Sequence, residues 1–250
     1  PELNQTYSTQ LDGTGVDIYI VDSGVKNDHE VFHDGFGNSR VTQFYDHYDD
    51  GIQYCSESHG THVAGLAAGM GTGPSTGAEI YSVMIASQSE DPTDGQNVCS
   101  DGVEFSALYA GLYEIYVELF DHGRPTVVNM SLGVEVNSLN AEPVGLIEEV
   151  IQWIIDEGGT VVVASGNDNQ DACNHSPARM SEVITVNAAF ANGYNITTPN
   201  PNNLDEGRTW FSNYGTCTDI FAPGENVRSA INDSTSSYAN FNGTSMASPM

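Results

Sequence analysis

The chain has 250 residues, 39% of them hydrophobic, enough for one sizeable core and in keeping with a single α/β domain. Six Lys and Arg against 34 Asp and Glu leave a formal charge of −28, a surface that repels nucleic acid and anionic membranes and favours counter-cations, calcium among them, and a salty or extracellular setting. There is no run of about 18 apolar residues, so no helix is expected to span a membrane.

Residues 11–15 read as a turn. Residues 16–21 (VDIYIV) are apolar on both faces, the pattern of a buried parallel strand. Asp22 therefore falls at a strand's carboxyl end, where open α/β sheets place their sites. The polar stretch 26–50 holds a short strand at 41–45 and the histidines His29, His33 and His47, expected as surface or loop residues. His59 opens a helix, residues 59–68, whose Gly60, Ala64, Gly65 and Ala68 let it approach neighbouring backbone; His62 is expected to pack one turn on.

Residues 80–85 are the next strand. The acidic, turn-rich residues 88–101 read as a surface excursion. Leu108, Leu112, Ile115 and Leu119 stand at helical spacing within residues 106–120, and Gly123-Arg124-Pro125 ends that helix. Residues 126–131 form a buried strand. A second helix, 146–157, carries Ile147, Val150, Ile151 and Ile154 on one side and stops at Gly158-Gly159. The strand 160–164 leads directly into Ser165-Gly166-Asn167, and a later strand covers 182–188. Residues 195–203, rich in Asn, Thr and Pro, read as a surface loop. Strand and helix alternate, which argues for a mainly parallel sheet with helices on both faces.

Three short motifs carry the chemistry. A serine hydroxyl is a poor nucleophile until a base takes its proton, and the base needs an orienting group. In Gly243-Thr244-Ser245-Met246-Ala247-Ser248-Pro249 a serine sits where a loop opens a helix. His59-Gly60-Thr61-His62-Val63-Ala64-Gly65 offers the base and Asp22-Ser23-Gly24 the acid. The order Asp22, His59, Ser245 is the known order of subtilisin. Asn167, just after its strand, is placed to offer a side-chain amide to an oxyanion. Cys55, Cys99, Cys173 and Cys217 permit three pairings, and no Cys/His spacing resembles a zinc site. Two disulfides made in an oxidising compartment account for them.

Together the motifs closely resemble the subtilisin-like serine peptidases, the subtilases. Cys55 ahead of the histidine motif, and Cys173 within Asp171-Ala172-Cys173-Asn174-His175-Ser176-Pro177-Ala178, are similar to the aqualysin branch of the proteinase K-like subtilases. The resemblance implies a three-layer α/β/α fold with a mainly parallel central sheet. It implies one peptidase catalytic domain over residues 1–250, shortened at both ends relative to the family. The activity implied is that of a secreted, monomeric serine endopeptidase acting on proteins or peptides through a triad and an acyl-enzyme.

The same resemblance pairs Cys55 with Cys99 and Cys173 with Cys217, each bond closing a loop of about 45 residues, worth roughly 4 kcal/mol in the chain-entropy picture. It assigns the oxyanion to Asn167 and the Ser245 N–H. Ser131, Leu132 and Gly133 would pair with substrate backbone as an added strand, facing Ser100, Asp101 and Gly102. Two residues depart from the family pattern: Val103 stands where a glycine is common, and Glu135 replaces a glycine and puts a charge near the cleft. A calcium site would take Asp219 with the carbonyls of Ser181 and Val183. A rival reading is a catalytically weak relative on the same fold that acts by binding proteins, which loss of a triad residue would favour; none is lost. A second rival, an esterase, fits the strand-like groove less well.

Overall fold

Alternate residues of the strand Asp17–Asp22 (β1) face two different cores. Ile18 and Ile20 pack with Val63, Leu66, Ala67 and Ile80, whereas Tyr19 and Val21 pack with Leu112, Ile115, Val128 and Ile151. A strand buried on both faces favours apolar residues on both, which is why residues 16–21 are apolar but for Asp17, a buried acid at the strand's start paired with Arg124 at 2.9 Å.

The computed structural model of the protein describes residues 11–49, 53–55, 57–90, 97–192 and 205–250, with backbone alone for 87–90, 97–102, 191–192 and 205–206. After β1 come β2 (Val41–Asp46), the helix α1 (His59–Ala68) and β3 (Glu79–Met84). The pair β4 (Ala86–Glu90) and β5 (Asn97–Val103) leads into α2 (Phe105–His122), β6 (Thr126–Met130), β7 (Val134–Glu135) and α3 (Ala141–Asp156). Then follow β8 (Thr160–Ala164), β9 (His175–Ser176), β10 (Ile184–Asn192), β11 (Asp205–Arg208), β12 (Ile220–Pro223), β13 (Val227–Ala230), β14 (Tyr238–Phe241) and a short helix α4 (Thr244–Ala247).

The main sheet has the order β11-β10-β8-β6-β1-β3-β2, with β12 also paired to β10. Every pairing in it is parallel except β10 with β11. Helices α2 and α3 pack against each other on one face, and α1 packs on the other, against β1 and β13. This is the three-layer α/β/α arrangement expected from the alternation of elements. The chain passes from β1 to the edge strand β2, returns to β3 between them, then crosses to β6 on the other side of β1 and continues outward through β8 and β10. The reversal lies between β1 and β6, and a crevice at the carboxyl ends of those two strands is where such a sheet binds ligands.

Several expected elements appear with altered limits. Helix α3 begins at Ala141 rather than at residue 146, because Pro143 falls in its first turn, where the missing N–H is one the helix would not have used. The expected surface excursion at residues 88–101 contains an antiparallel ribbon, β4 with β5, whose register runs from Ala86↔Val103 to Glu90↔Asn97. Residues 88–101 carry no sustained apolar–polar alternation, so no strand pattern marked the ribbon in the sequence. The expected loop at 195–203 lies outside the described residues.

His29 is a loop residue, as expected, but it is fully buried rather than at the surface. Its Nδ1 accepts the Val31 N–H at 3.4 Å, and its Nε2–H donates to the Ser237 carbonyl at 2.9 Å. Burial, the largest influence, lowers its pKa below the ordinary 6.5. His33 and His47 are half-buried loop residues.

Candidate active site

The pleat that sends Ile18 and Ile20 toward α1 sends Asp22 to the same side, because side chains two apart share a face. There α1 begins with His59. The first turn of that helix can come this close because residue 60 is glycine. A Cβ on Gly60 would collide with the Gly24 carbonyl and stand 3.1 Å from Asp22 Oδ1. Ser58, just ahead of the helix, holds a left-handed conformation at φ 61°. Its hydroxyl donates to Asn232 Oδ1 at 2.6 Å and accepts the Asn232 N–H at 3.0 Å, which anchors the entry to the helix.

His59 Nδ1 lies 2.8 Å from Asp22 Oδ1 and 3.0 Å from Oδ2. A carboxylate only accepts, so Nδ1 carries the proton and Nε2 keeps its lone pair. Asp22 also accepts the Ser23 N–H at 2.7 Å and is 6% exposed. Burial disfavours the imidazolium, but the charge of Asp22 and its hydrogen bond outweigh that, and the His59 pKa is raised above 6.5. This is a base tuned upward by its orienter.

Ser245 lies in α4, 9% exposed. Its hydroxyl donates to the Ser131 carbonyl at 3.1 Å in this conformation. The Ser131 hydroxyl in turn accepts from Asn129 Nδ2 at 3.0 Å and donates to the Ser245 carbonyl at 2.9 Å. The end of β6 and the start of α4 are thereby tied together from both sides. Asn167 Oδ1 accepts two bonds from Thr244, from its N–H at 2.9 Å and from its hydroxyl at 3.0 Å. Those donors fix which end of the amide is oxygen, so Asn167 Nδ2 is left as a donor. A serine hydroxyl, a charge-supported base and a free amide donor are what acyl transfer requires.

A cleft of about 950 Å3 is lined by Asp22, His59, Asn167 and Ser245 together. Ser131, Leu132 and Gly133 line it too, as does Val103, 40% exposed at the end of β5. Ser100, Asp101 and Gly102 precede it in the same strand; their side chains lie outside the description. Glu135 lines the cleft and is exposed, so the departure from glycine does place a charge there. His175, noted in the sequence only as a neighbour of Cys173, also lines it, with Nε2 3.3 Å from Asp168 Oδ2. Thr244 and Asn213, both buried next to Asn167, were not singled out by the sequence. Thr244 had its place in the serine motif as a signal; Asn213 had none.

Cys173 and Cys217 form a disulfide across a separation of 44 residues. Cys55 is also disulfide-bonded; its expected partner, Cys99, has its side chain outside the description. For a cation, Asp219 and Thr185 exchange hydrogen bonds: the Asp219 N–H donates to the Thr185 carbonyl at 2.9 Å, and the Thr185 N–H donates to Asp219 Oδ2 at 2.8 Å. This brings the carboxylate beside the segment that carries the Ser181 and Val183 carbonyls and leaves Oδ1 for another partner. These are hard oxygen donors of the kind calcium takes. Among the described residues no three His, Cys, Asp or Glu side chains converge, so such a site would depend on carbonyl oxygens.

Residues 13–250 match the model of the Subtilase family. The chain belongs to the subtilase family. Among similar subtilases, an "Extracellular serine proteinase" of Thermus sp. (strain Rt41A) is 34% identical over 249 residues, covering 99% of this chain and 51% of that protein. An "Alkaline serine exoprotease A" of Vibrio alginolyticus is 33% identical over 248 residues, 99% of this chain and 39% of that one. The chain thus spans about half or less of the length of these relatives. The crystal structure of a cold adapted subtilisin-like serine proteinase is similar with a TM-score of 0.76 at 32% identity, covering 98% of this chain and 76% of that one.

Proposed function

We propose that this subtilase chain carries a serine endopeptidase site that cleaves proteins and peptides. The observation that carries the reading is His59 Nδ1 held by both oxygens of Asp22, in a cleft that also takes in Ser245 and Asn167. Ser245 Oγ attacks the scissile carbonyl carbon while His59 Nε2 takes its proton, and Asp22 stabilises the imidazolium that results. The Asn167 amide and the Ser245 N–H receive the negative oxygen. As the tetrahedral species collapses, the C–N bond breaks and His59 protonates the departing amine. Water, deprotonated by the same histidine, then hydrolyses the ester.

The Ser245 hydroxyl must leave the Ser131 carbonyl to reach His59, a change of side-chain rotamer. Catalytic hydrogen bonds are often long or misaligned before substrate binds. An extended peptide would lie between β5 and the segment Ser131-Leu132-Gly133, joined to them by main-chain bonds. Secretion is supported by a disulfide, a charge of −28 and a relative named as extracellular. We read the protein as a monomer with one structural calcium at Asp219, Ser181 and Val183.

The full-length protein should digest casein, and a sulfonyl fluoride reagent should label Ser245 and stop digestion. Ser245→Ala should keep the melting temperature and lose most turnover, leaving only what binding and the oxyanion donors supply. Wild-type turnover in that variant would refute the assignment.

A further inference from the structure

We propose that Asn213 is the positioning residue of the oxyanion donor: it holds the backbone on both sides of Asn167 so that the Asn167 amide meets the developing charge. The proposal rests on the reading of Asn167 as that donor.

Asn167 sits on a loop between β8 and the 3-10 turn Ala172–Asn174. Its side chain is held from the oxygen end by Thr244, whose hydroxyl also accepts the Gly166 N–H at 3.2 Å, so the backbone is held on the near side of Asn167 but not on the far side. Asn213 supplies the second constraint. It is fully buried. Its backbone N–H donates to the Gly166 carbonyl at 2.9 Å, one residue before Asn167. Its side-chain Oδ1 accepts the Asp168 N–H at 3.0 Å, one residue after, and the Gln170 N–H at 2.9 Å. Its Nδ2–H donates to the Ser165 carbonyl at 2.9 Å. A single side chain and its own amide thus bracket Asn167.

The approach is tight. Gly166 has φ of +104°, and a Cβ there would run into Asn213 Nδ2. Only glycine combines that backbone with that proximity. The bonding continues outward as a ladder, with Asn169 N–H to the Phe211 carbonyl at 2.8 Å, Tyr214 N–H to the Gln170 carbonyl at 2.9 Å and Ala172 N–H to the Tyr214 carbonyl at 2.7 Å. The Cys173–Cys217 disulfide closes its far end. Thr244 reaches only the near side of Asn167, at the Gly166 N–H, whereas the Asn213 side chain bonds Asp168 on the far side and Asn213 N–H bonds the Gly166 carbonyl on the near side. An oxyanion donor works by being in place before the charge appears, and a misplacement of about 1 Å can cost on the order of a hundredfold. Asn213 touches no reacting atom, so it acts through Asn167.

The test is a double-mutant cycle in the full-length enzyme with a peptide substrate. Asn167→Ala should lower kcat on the order of a hundredfold or more, as loss of the equivalent type of donor does in subtilisin. Asn213→Ala should lower kcat about tenfold or more with KM nearly unchanged, and should weaken a peptide aldehyde inhibitor, which mimics the tetrahedral species, by a similar factor. In the Asn167→Ala background the same change should lower kcat by less than about threefold, because the group it positions is gone. Asn213→Asp keeps the acceptor for the Asp168 and Gln170 N–H groups and should retain more kcat than Asn213→Ala; if the alanine variant does not fold, the aspartate variant runs through the same cycle. Equal losses in both backgrounds, or a lower melting temperature with kcat intact, would overturn the positioning role and leave Asn167 as donor. An Asn167→Ala enzyme with unchanged kcat would overturn the oxyanion reading itself and the proposal with it.

Discussion

The Asp22 carboxylate grips His59 Nδ1 with both oxygens, at 2.8 and 3.0 Å, while the imidazole stays about a third exposed (35%) to the cleft. The ring is therefore oriented from the buried side and open on the side where chemistry takes place. A raised His59 pKa moves to higher pH the point at which the base becomes neutral and usable.

The pH profile of kcat/KM should follow from this. Its acid limb should have a midpoint above 6.5, set by His59 in the free enzyme. For stability the sign is opposite. A raised folded pKa contributes stability that is fully present below the unfolded value near 6.5 and is lost as pH rises through the folded pKa. Asp22→Asn removes the charge and admits the wrong tautomer, so kcat should fall on the order of 10⁴-fold, as the equivalent change does in the Ser-His-Asp template, and the acid limb should move down. An unmoved midpoint would show that another group sets the limb.

His62 behaves in the reverse way. It is fully buried, stacked 4.3 Å from the Phe241 ring, with Nε2 3.1 Å from the Ala239 carbonyl. Burial, opposed by that carbonyl and aided by the nearby His59, pushes its pKa down to about 4. The unfolded chain takes up a proton near 6.5 and the folded chain resists until about 4, so stability is fully present above 6.5 and falls between those values. The effect is about 3 kcal/mol. Urea midpoints measured from pH 7 to pH 4 should fall less steeply for His62→Gln than for the parent; equal slopes would mean His62 is not titrating in the unfolded chain alone.

The cysteines offer a test by separation of function and stability. Replacing Cys173 and Cys217 together by serine should lower stability by up to roughly 4 kcal/mol, since the bond closes a loop of 44 residues. Non-reducing peptide mapping should recover Cys173–Cys217 and Cys55–Cys99. A peptide linking Cys55 to Cys173 would break the pairing.

Much of this fold was readable because it depends on local pattern. The doubly apolar β1 and β8, the spacing of Leu108, Leu112, Ile115 and Leu119, and the small residues of α1 each declare an environment within a few positions of themselves. The candidate site was readable where a short motif carries a chemical group: Asp22, His59, Ser245 and Asn167. What was not readable depends on contacts made at long range by ordinary polar residues. Asn213 meets Ser165 across 48 positions, Ser58 meets Asn232 across 174 and His29 meets Ser237 across 208. An asparagine or serine in a loop has the same local signature whether it faces water or braces a catalytic loop, and only the folded chain separates the two.

Cations act on this protein through two effects that point the same way and must be separated. A charge of −28 repels itself in the compact state, and any salt screens that repulsion. A calcium ion that binds only the folded chain adds stability by mass action, about 2.7 kcal/mol at a hundredfold excess over its dissociation constant. Magnesium screens as well as calcium does but demands a tight octahedron and gives up water reluctantly, so a carbonyl-rich site suits it poorly. At constant ionic strength, calcium should therefore raise the melting temperature of the full-length protein more than magnesium. Asp219→Asn should shrink the calcium increment and leave the sodium chloride response nearly unchanged. The amide oxygen of that variant can still accept the Thr185 N–H, so the local fold is retained while the anionic donor is lost. If calcium and magnesium act alike in the parent and the variant changes neither response, the acidity is a diffuse surface property and Asp219 holds no ion.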